Sequence, residues 1–361
     1  MVKFKKLLID KENRCEVCSV FDVNGDGIAD IISGEYWYQG PDFTLKHKMC
    51  DVKVNGDYLE DFSNYPIDVT GNGFMDIITG SWWSDGLYWR ENPGVIGVEW
   101  KTHLVMEFSN LETIRYYDID NCGQVEIFPN CPNEPPFFVK LKPGGVFEKH
   151  VIGEEIAGHG MGIGDIDNDG LPELIFPSGI YKMKDGNPYC GLWERLSAPD
   201  TKGASWSVPV LVYDVDGDGK QEIIIGSGHG YGLFWYKQEV NKSGEPVWIE
   251  NIADNAWSQY HDMQLADING DGKPELITGK RYLAHCGSDP GDDGEVFICY
   301  YTFRDGRMYR HIVDYGNPDD GHSGLGLYFW LHDFNGNGFP DIVAPGKEGL
   351  YLFENHGGRN V

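Results

Sequence analysis

The chain has 361 residues, of which 41% are hydrophobic and 14% aromatic, together with 48 glycines and 19 prolines. This composition can bury a large core between many tight turns, and it excludes a disordered or collagen-like chain. The formal net charge of -28 argues against a nucleic-acid partner, because a phosphate backbone is bound by clustered Lys and Arg that displace its counterions.

The N-terminal residues contain no apolar run of signal-peptide length, and no 18 apolar residues follow one another anywhere in the chain. We therefore expect no membrane span and a cytoplasmic location, or a secreted protein if a leader was removed. The eight cysteines show no paired framework and are expected to be reduced. Cys15 and Cys18 lack a second pair for a zinc site and are interpreted as semi-buried thiols.

One acidic loop recurs seven times along the chain. Its pattern is Asp-x-[Asp/Asn]-x-[Asp/Asn]-Gly followed by a carboxylate, with some variation, and the copies begin at Asp22, Asp68, Asp118, Asp165, Asp214, Asp267 and Asp333. The spacings are 46, 50, 47, 49, 53 and 66 residues, against the roughly 40 to 50 residues of one four-stranded propeller blade. The long sixth interval predicts an insertion, which we place at residues 283–295.

Each repeat contains four short strands in the same order. An apolar stretch precedes the loop, and a run of residues with high β propensity follows it, as at residues 30–34 and 222–226. An aromatic strand follows, as at residues 86–89, 232–236 and 349–353. A fourth strand often ends near a histidine, and these histidines are interpreted as structural: His47, His103, His150 and His311.

The two ends of the chain are predicted to share one blade. The last repeat lacks an outer strand, and residues 3–9 have the pattern of that missing strand. Closing the ring in this way removes exposed sheet edges, which invite aggregation. We therefore predict an all-β fold in which residues 1–361 form a single domain, a seven-bladed β-propeller with four-stranded blades.

The acidic loops have the chemistry of calcium sites. Side chains at loop positions one, three and five and a carboxylate at position nine can converge as oxygen ligands, while the glycine permits the sharp turn. Structural calcium is predicted in four loops, with these ligands: Asp22, Asn24, Asp26, Asp30, Asp165, Asp167, Asp169, Glu173, Asp214, Asp216, Asp218, Glu222, Asp267, Asn269, Asp271 and Glu275. The alternative is a metal-free turn, because Asp, Asn and Gly also close turns through side-chain to backbone hydrogen bonds.

The repeats resemble the FG-GAP/VCBS family, which includes the propellers of integrin α-subunits and many microbial proteins. The resemblance covers essentially the whole chain and implies a fold rather than an activity. Residues 158–165, and residues 279–285 with the insertion that follows, are similar to the propeller domain of fungal aldos-2-ulose dehydratase and related bacterial VCBS proteins. That likeness implies a metal-assisted lyase that removes water from a keto-sugar, without the isomerisation step that belongs to the fungal enzyme's additional cupin-type domains.

Repeat symmetry predicts a group of polar residues on the propeller axis. His159 and His261 lie six residues before the first loop Asp of their repeats, and Glu16 and Glu112 share that offset. His322 can join them after a small change of register. These residues could hold zinc or a similar divalent ion and leave a position for a substrate oxygen. The alternative is that they only hydrogen-bond across a water-filled channel.

The loops that leave the inner strands carry groups suited to a carbohydrate, because aromatic faces stack on a sugar and polar groups bind its hydroxyls. The predicted substrate-binding residues are Trp37, Trp82, Trp83, His229, Tyr231 and Tyr282. The predicted catalytic residues are His159, His261, Tyr260, Arg281 and His285. In this hypothesis a metal or Arg281 polarises a ketone, His159 or His261 is the base, and Tyr260 or His285 is the acid.

The favoured function is a carbon-oxygen lyase or dehydratase that performs metal-assisted β-elimination, or the reverse hydration, on a keto-sugar or keto-glycoside at the channel mouth. The alternative is a non-catalytic, calcium-stabilised propeller that binds carbohydrate as a lectin or binds a protein. Repeated binding would place the same groups in most blades, whereas unlike groups gathered on one axis favour catalysis. The sequence leaves the substrate, the direction of the reaction and the oligomeric state open.

Overall fold

The computed structural model describes residues 2–243 and 246–358, which form a ring of seven four-stranded sheets. Every strand pair within these sheets is antiparallel, and three short 3-10 helices are present in the described residues: Lys184–Gly186, Ala284–Cys286 and Pro318–Asp320. The prediction of an all-β, seven-bladed propeller is therefore confirmed. No helix among the described residues is long and apolar enough to cross a membrane.

The first three blades and the strands around them are, in chain order, β1 (Phe4–Asp10), β2 (Ser19–Phe21), β3 (Asp30–Ser33), β4 (Tyr36–Gln39), β5 (Leu45–Lys48), β6 (Val54–Asn55), β7 (Tyr58–Leu59), β8 (Tyr65–Ile67), β9 (Asp76–Thr79), β10 (Gly86–Glu91), β11 (Lys101–Glu107), β12 (Thr113–Tyr117), β13 (Glu126–Asn130), β14 (Phe137–Lys142) and β15 (Val146–Val151). Blade 1 is β2 to β5, blade 2 is β8 to β11, and blade 3 is β12 to β15. Strands β6 and β7 form a separate hairpin.

The remaining strands are β16 (Gly162–Gly164), β17 (Glu173–Phe176), β18 (Gly179–Lys182), β19 (Glu194–Leu196), β20 (Leu211–Tyr213), β21 (Glu222–Gly226), β22 (Tyr231–Val240), β23 (Pro246–Ser258), β24 (Tyr260–Ala266), β25 (Glu275–Lys280), β26 (Val296–Arg304), β27 (Arg307–Gly316), β28 (Trp330–His332), β29 (Asp341–Gly346) and β30 (Gly349–Asn355). Blades 4, 5 and 6 take four consecutive strands each, and blade 7 is β28, β29, β30 and β1.

The core lies between the blades. The second strand of each blade is buried along its whole length, as in β9 and β21, because neighbouring blades cover both of its faces. This explains why these strands are mostly apolar without alternation, as at residues 223–225 of β21. The first strands meet around the axis, where isolated parallel bridges join Val17 to Tyr328 and Gly162 to Val210. Residues just before these first strands are therefore brought together.

The recurring histidines pack within the blades. Each histidine lies opposite an aromatic residue of the third strand and stacks on its ring, with ring centroids 4.2 to 4.9 Å apart. The pairs are Trp37–His47, Trp89–His103, Phe138–His150 and Tyr300–His311. Their interpretation as structural residues agrees with this packing. Trp37, which was predicted to bind substrate, is only 3% exposed and takes part in one of these stacks.

The ring is closed by the N-terminal strand, as predicted. Strand β1 pairs with β30 at six positions, from Phe4 opposite Asn355 to Asp10 opposite Leu350. Residues 283–295, the predicted insertion, join β25 to β26 and contain the 3-10 helix Ala284–Cys286. This segment lies over the inner strands and contributes to the site described below.

Removing residues 2–10 should destabilise the propeller. The deletion leaves the edge of β30 unpaired at six positions, so we expect the free energy of unfolding to fall on the order of 3 kcal/mol and the chain to associate through the open edge. Urea denaturation and size-exclusion chromatography measure both effects. Lys5→Ala, which removes only an exposed ion pair with Glu354, is the control. An unchanged urea midpoint in the truncated chain would contradict this account of ring closure.

Candidate functional site

Four side chains from consecutive blades meet at the propeller axis. They are Glu112, His159, His229 and His261, whose ligand atoms all lie within 4.8 Å of one another. The Nε2 atom of His261 lies 2.9 Å from Oε1 of Glu112, and Nε2 of His159 lies 3.4 Å from the same oxygen. The Nε2 atoms of His159 and His229 are 2.9 Å apart. We call these four residues the axial cluster.

The strand arrangement places three members of the axial cluster. Glu112 and His159 precede β12 and β16, the inner strands of blades 3 and 4, and His261 lies at the start of β24 in blade 6. His229 comes instead from the turn between β21 and β22 of blade 5. A Cβ atom at Gly228 would lie 3.1 Å from the Trp206 carbonyl oxygen, so glycine allows this turn to approach its neighbours closely.

Two histidines direct their Nε2 atoms at each other. The Nδ1 of His159 lies 3.0 Å from the carbonyl oxygen of Trp206, and the Nδ1 of His229 lies 2.7 Å from Oδ2 of Asp289. Since both partners are acceptors, we assign the proton to Nδ1 in each ring, which leaves a lone pair on each Nε2. Two lone pairs 2.9 Å apart repel each other unless a proton or a metal ion lies between them. Zinc with tetrahedral bonds of about 2.0 to 2.1 Å holds two such nitrogens about 3.3 Å apart.

His261 orients the carboxylate of the cluster. It is fully buried, and burial holds its pKa well below the usual range, so the ring is neutral. The neutral ring donates Nε2–H to Glu112, while its Nδ1 has no hydrogen-bond partner among the described residues. Nε2 would be available to a metal in the other neutral tautomer, in which the ring proton is on Nδ1.

Glu112 is ionised although it is buried. Burial by itself would raise the pKa of Glu112. When a proton lies between the Nε2 atoms of His159 and His229, His159 is positively charged, and this charge together with hydrogen bonds from His159 and His261 holds that pKa well below the usual range. An ionised carboxylate between imidazoles is a ligand set that suits zinc and related divalent ions. The residues of the axial cluster therefore fit a divalent metal.

Arg281 lies beside the cluster and is balanced by a second carboxylate. Its Nε and NH2 atoms donate to the two oxygens of Glu16 at 2.9 and 3.3 Å, and NH1 is 3.6 Å from Oε1 of Glu112. Carboxylates of Glu16 and Glu112 thus both face one guanidinium. This excess of negative charge favours a divalent cation over an empty site.

The insertion supplies the exposed side of the site. Asp289 binds Nδ1 of His285 at 2.8 Å through its other oxygen, and the ring of His285 stacks on His229 at 4.4 Å. Burial raises the pKa of Asp289, but hydrogen bonds from the two histidines outweigh it and lower that pKa to about 2. The side chain of His285 is 55% exposed, against 16% for His159 and 10% for His229. His285 is therefore the histidine of this group most open to a substrate.

The structure places the residues predicted for the channel metal in three different ways. Glu112, His159 and His261 are in the axial cluster, and Glu16 lies one step away behind Arg281. His322 lies elsewhere, with its Nδ1 2.7 Å from Oδ1 of Asp314. His229 and Asp289 were not predicted as metal-site residues. The glycine-rich run 226–232 around His229 is the signal in the sequence that marks an unusual turn.

The other predicted site residues are dispersed. Tyr260 is fully buried and its hydroxyl lies 2.9 Å from that of Tyr301, away from the axial cluster. Trp83 is 41% exposed and borders a cavity of about 410 Å³, and Tyr231 is 53% exposed and borders one of about 250 Å³. Trp82 and Tyr282 are half-buried. Trp83 and Tyr231 are thus the predicted substrate-binding aromatics with the most free surface.

The sequence matches the FG-GAP-like repeat over residues 214–278, which contain the loops of blades 5 and 6. The same loop recurs in every blade of the ring. The chain is a seven-bladed β-propeller that contains an FG-GAP-like repeat. No curated protein matches the sequence.

Solved structures support the propeller fold. A crystal structure of BBS1N in complex with ARL6DN, soaked with mercury, is 9% identical with a TM-score of 0.57, over 99% of this chain and 97% of that chain. A second crystal structure of that complex, soaked with lead, is 12% identical with a TM-score of 0.53, over 98% of this chain and 96% of that chain. The V. cholerae biofilm matrix protein Bap1 is 17% identical with a TM-score of 0.36, over 88% of the propeller and 44% of Bap1. At these identities the likeness to the two BBS1N structures shows the fold alone.

Replacing Asp289 with Ala should weaken zinc binding by the propeller about 10- to 100-fold, the range typical of a carboxylate that orients a histidine ligand. Without Asp289, His229 loses the partner that fixes its proton on Nδ1. Competition with a chromogenic zinc chelator measures the affinity. Asp305→Ala, at an 84% exposed position, is the charge-matched control. Equal affinities in the two variants would contradict the assigned role of Asp289.

Proposed function

We propose that this propeller binds a divalent transition metal, zinc in the first instance, at the axial cluster. We further propose that it catalyses metal-assisted β-elimination, or the reverse hydration, on a keto-sugar or keto-glycoside. The observation that carries the proposal is the pair of facing Nε2 atoms of His159 and His229, 2.9 Å apart beside the ionised Glu112. Catalytic zinc sites commonly use three protein ligands and keep one position for water or substrate.

A metal bound there supplies Lewis acidity, which polarises a substrate carbonyl and acidifies the neighbouring C–H bond. The protein's own part is to hold that metal through Glu112, His159 and His229, and to keep His261 and Arg281 behind them as buried positioning residues. Because His261 and Arg281 are at most 1% exposed, neither contacts substrate in this arrangement. This differs from the sequence-based hypothesis, in which both were catalytic residues.

His285 is the proposed base. Its Nδ1 proton is directed to Asp289, so its Nε2 can accept a proton, and the carboxylate stabilises the imidazolium that forms. In the elimination, His285 takes the proton from the carbon beside the carbonyl. The electron pair of that C–H bond forms the carbon-carbon double bond as the β carbon-oxygen bond breaks. The leaving hydroxide or alkoxide then takes the proton from the imidazolium, which returns His285 to its neutral state.

Exposed aromatics near the mouth are the proposed sugar contacts. Tyr231 follows His229 by two residues. Trp83 packs at 5.1 Å on Tyr58, whose hydroxyl accepts a hydrogen bond from the His285 backbone. Aromatic rings in such positions stack on the C–H face of a sugar while leaving its hydroxyls free to bind polar groups. They support a carbohydrate rather than a purely apolar substrate.

The activity test uses metal-loaded and chelator-treated protein with a panel of 2-keto and 3-keto sugars and glycosides. Elimination produces a conjugated enone, which is followed by its ultraviolet absorbance. We expect turnover in the loaded protein and its loss after chelation. His159→Ala should lose both bound zinc and activity, whereas the control His356→Ala, at a 52% exposed position, should keep both.

The His285→Ala variant tests the role of His285 as the base independently of metal binding. We expect this variant to retain zinc and to lose about 10²- to 10⁴-fold in kcat, the usual contribution of a general base. Turnover that survives chelation, or a His285→Ala variant with full kcat, would contradict the proposal. Carbohydrate binding without turnover by the zinc-loaded protein would favour the non-catalytic, lectin-like alternative.

A further inference from the structure

The acidic loops close on their own backbone without an ion. In blade 5, Oδ1 of Asp214 accepts from the backbone N–H of Gly217 at 2.7 Å and of Asp218 at 3.1 Å, and Oδ2 accepts from that of Gly219 at 2.9 Å. The carboxylate at position one makes the corresponding bonds to the Gly at position six in the other loops described for it. The loop conformation therefore does not by itself indicate a bound metal.

The carboxylate at position nine divides the loops into two classes. In blades 1, 2 and 7 it is an Asp with both oxygens engaged by backbone N–H groups, as for Asp30 with Val23 and Gly40. In blades 3 to 6 it is a Glu, and only Oε2 accepts from the backbone, as for Glu222 with Val215 at 2.8 Å. The longer side chain leaves Oε1 inside the loop.

In blades 3, 4 and 5 a lysine from the third strand enters this space. Lys140, Lys182 and Lys237 lie on β14, β18 and β22, respectively. In each case the residue just before the lysine pairs with the residue just after the position-nine Glu on the neighbouring strand. Lys140 is 2.5 Å from Asp120 and 3.0 Å from Glu126. Lys182 and Lys237 each contact the carboxylates at positions three and five, the latter at 2.7 Å. In blades 4 and 5 one ammonium thus joins the carboxylates at positions three and five, while Oε1 of Glu173 and of Glu222 has no hydrogen-bond partner among the described residues.

The lysine occurs together with Asp at position three. The lysine-containing blades have Asp120, Asp167 and Asp216 at that position. In the other four blades position three is Asn24, Thr70, Asn269 or Asn335, and the matching third-strand residue is Gln39, Glu91, Thr302 or Glu354. In blades 1 and 6 the Asn amide itself donates to the position-five carboxylate, at 2.9 and 3.2 Å. In blades 1, 3, 4, 5 and 6 a protein donor therefore binds at least one loop carboxylate.

We infer that the loops of blades 3, 4 and 5 are held by a built-in lysine ammonium in place of calcium. The ammonium brings one positive charge and three donors to the point where the free carboxylate oxygens converge. Calcium needs six to eight oxygens at about 2.3 to 2.6 Å, so it would have to expel the lysine side chain. The loops at Asp165 and Asp214 carry the most carboxylates and were predicted to bind calcium, but with Lys182 and Lys237 in place they do not fit it. Calcium in the lysine-free loops at Asp22 and Asp267 stays a prediction.

Calcium counting on the purified full chain tests this inference. Protein stripped with EDTA is dialysed against about 1 mM free calcium, within reach of weak extracellular-type sites, and bound calcium per chain is measured by elemental analysis. In the wild-type background, Asp216→Asn should leave the calcium count unchanged. Lys182→Met and Lys237→Met should each add one calcium per chain, and Lys101→Met, an exposed lysine of β11, should add none.

Thermal unfolding gives a second readout on the same variants. Without calcium, Lys237→Met leaves the loop carboxylates without their cation, so its Tm should fall below wild type, and calcium should restore it while leaving the wild-type loop unaffected. A loss of about one calcium in Asp216→Asn would overturn the inference, because calcium would then share the loop with Lys237. A folded Lys237→Met that gains no calcium would overturn it too. If that variant does not fold, Asp216→Asn alone decides.

Discussion

The buried negative charge of Glu112 is the constraint on which the channel mouth depends. A carboxylate removed from water is stable only if cations or donors surround it, and here His159, His261 and Arg281 come from other blades to do so. Arg281 is held in turn by Glu16 from the opposite end of the chain. The Glu16–Arg281 contact joins the first blade to the sixth across blade 7, so the pairing of β1 with β30, which completes blade 7, supports the site as well as the fold.

The fold and part of the site follow from repetition in the sequence. Because each blade uses the same loop, residues at one offset from it occupy equivalent places, and the offset of six correctly brought Glu112, His159 and His261 together. His229 and Asp289 could not be found in this way. His229 lies in a glycine-rich turn and Asp289 in an insertion of one blade, and neither segment is repeated in the other blades. His322 has no such offset, and it pairs with Asp314 instead.

The number of carboxylates in an acidic loop does not by itself decide whether the loop fits calcium. Carboxylate number predicts calcium most strongly at Asp165 and Asp214, but Lys182 and Lys237 lie 17 and 23 residues further along the chain. Their contact with the loop depends on the pairing of β17 with β18 and of β21 with β22, which a loop motif does not contain. The same acidic motif is therefore balanced by an amide in some blades and by an ammonium in others.

The most direct test of the central claim is anomalous X-ray diffraction at the zinc edge from crystals of the protein loaded with one equivalent of zinc. The account predicts one dominant peak at the axial cluster, about 2.0 to 2.1 Å from the Nε2 atoms of His159 and His229 and next to Glu112. A peak confined to the acidic loops, with none between these two histidines, would contradict it and leave the axial cluster as a hydrogen-bonded structural feature.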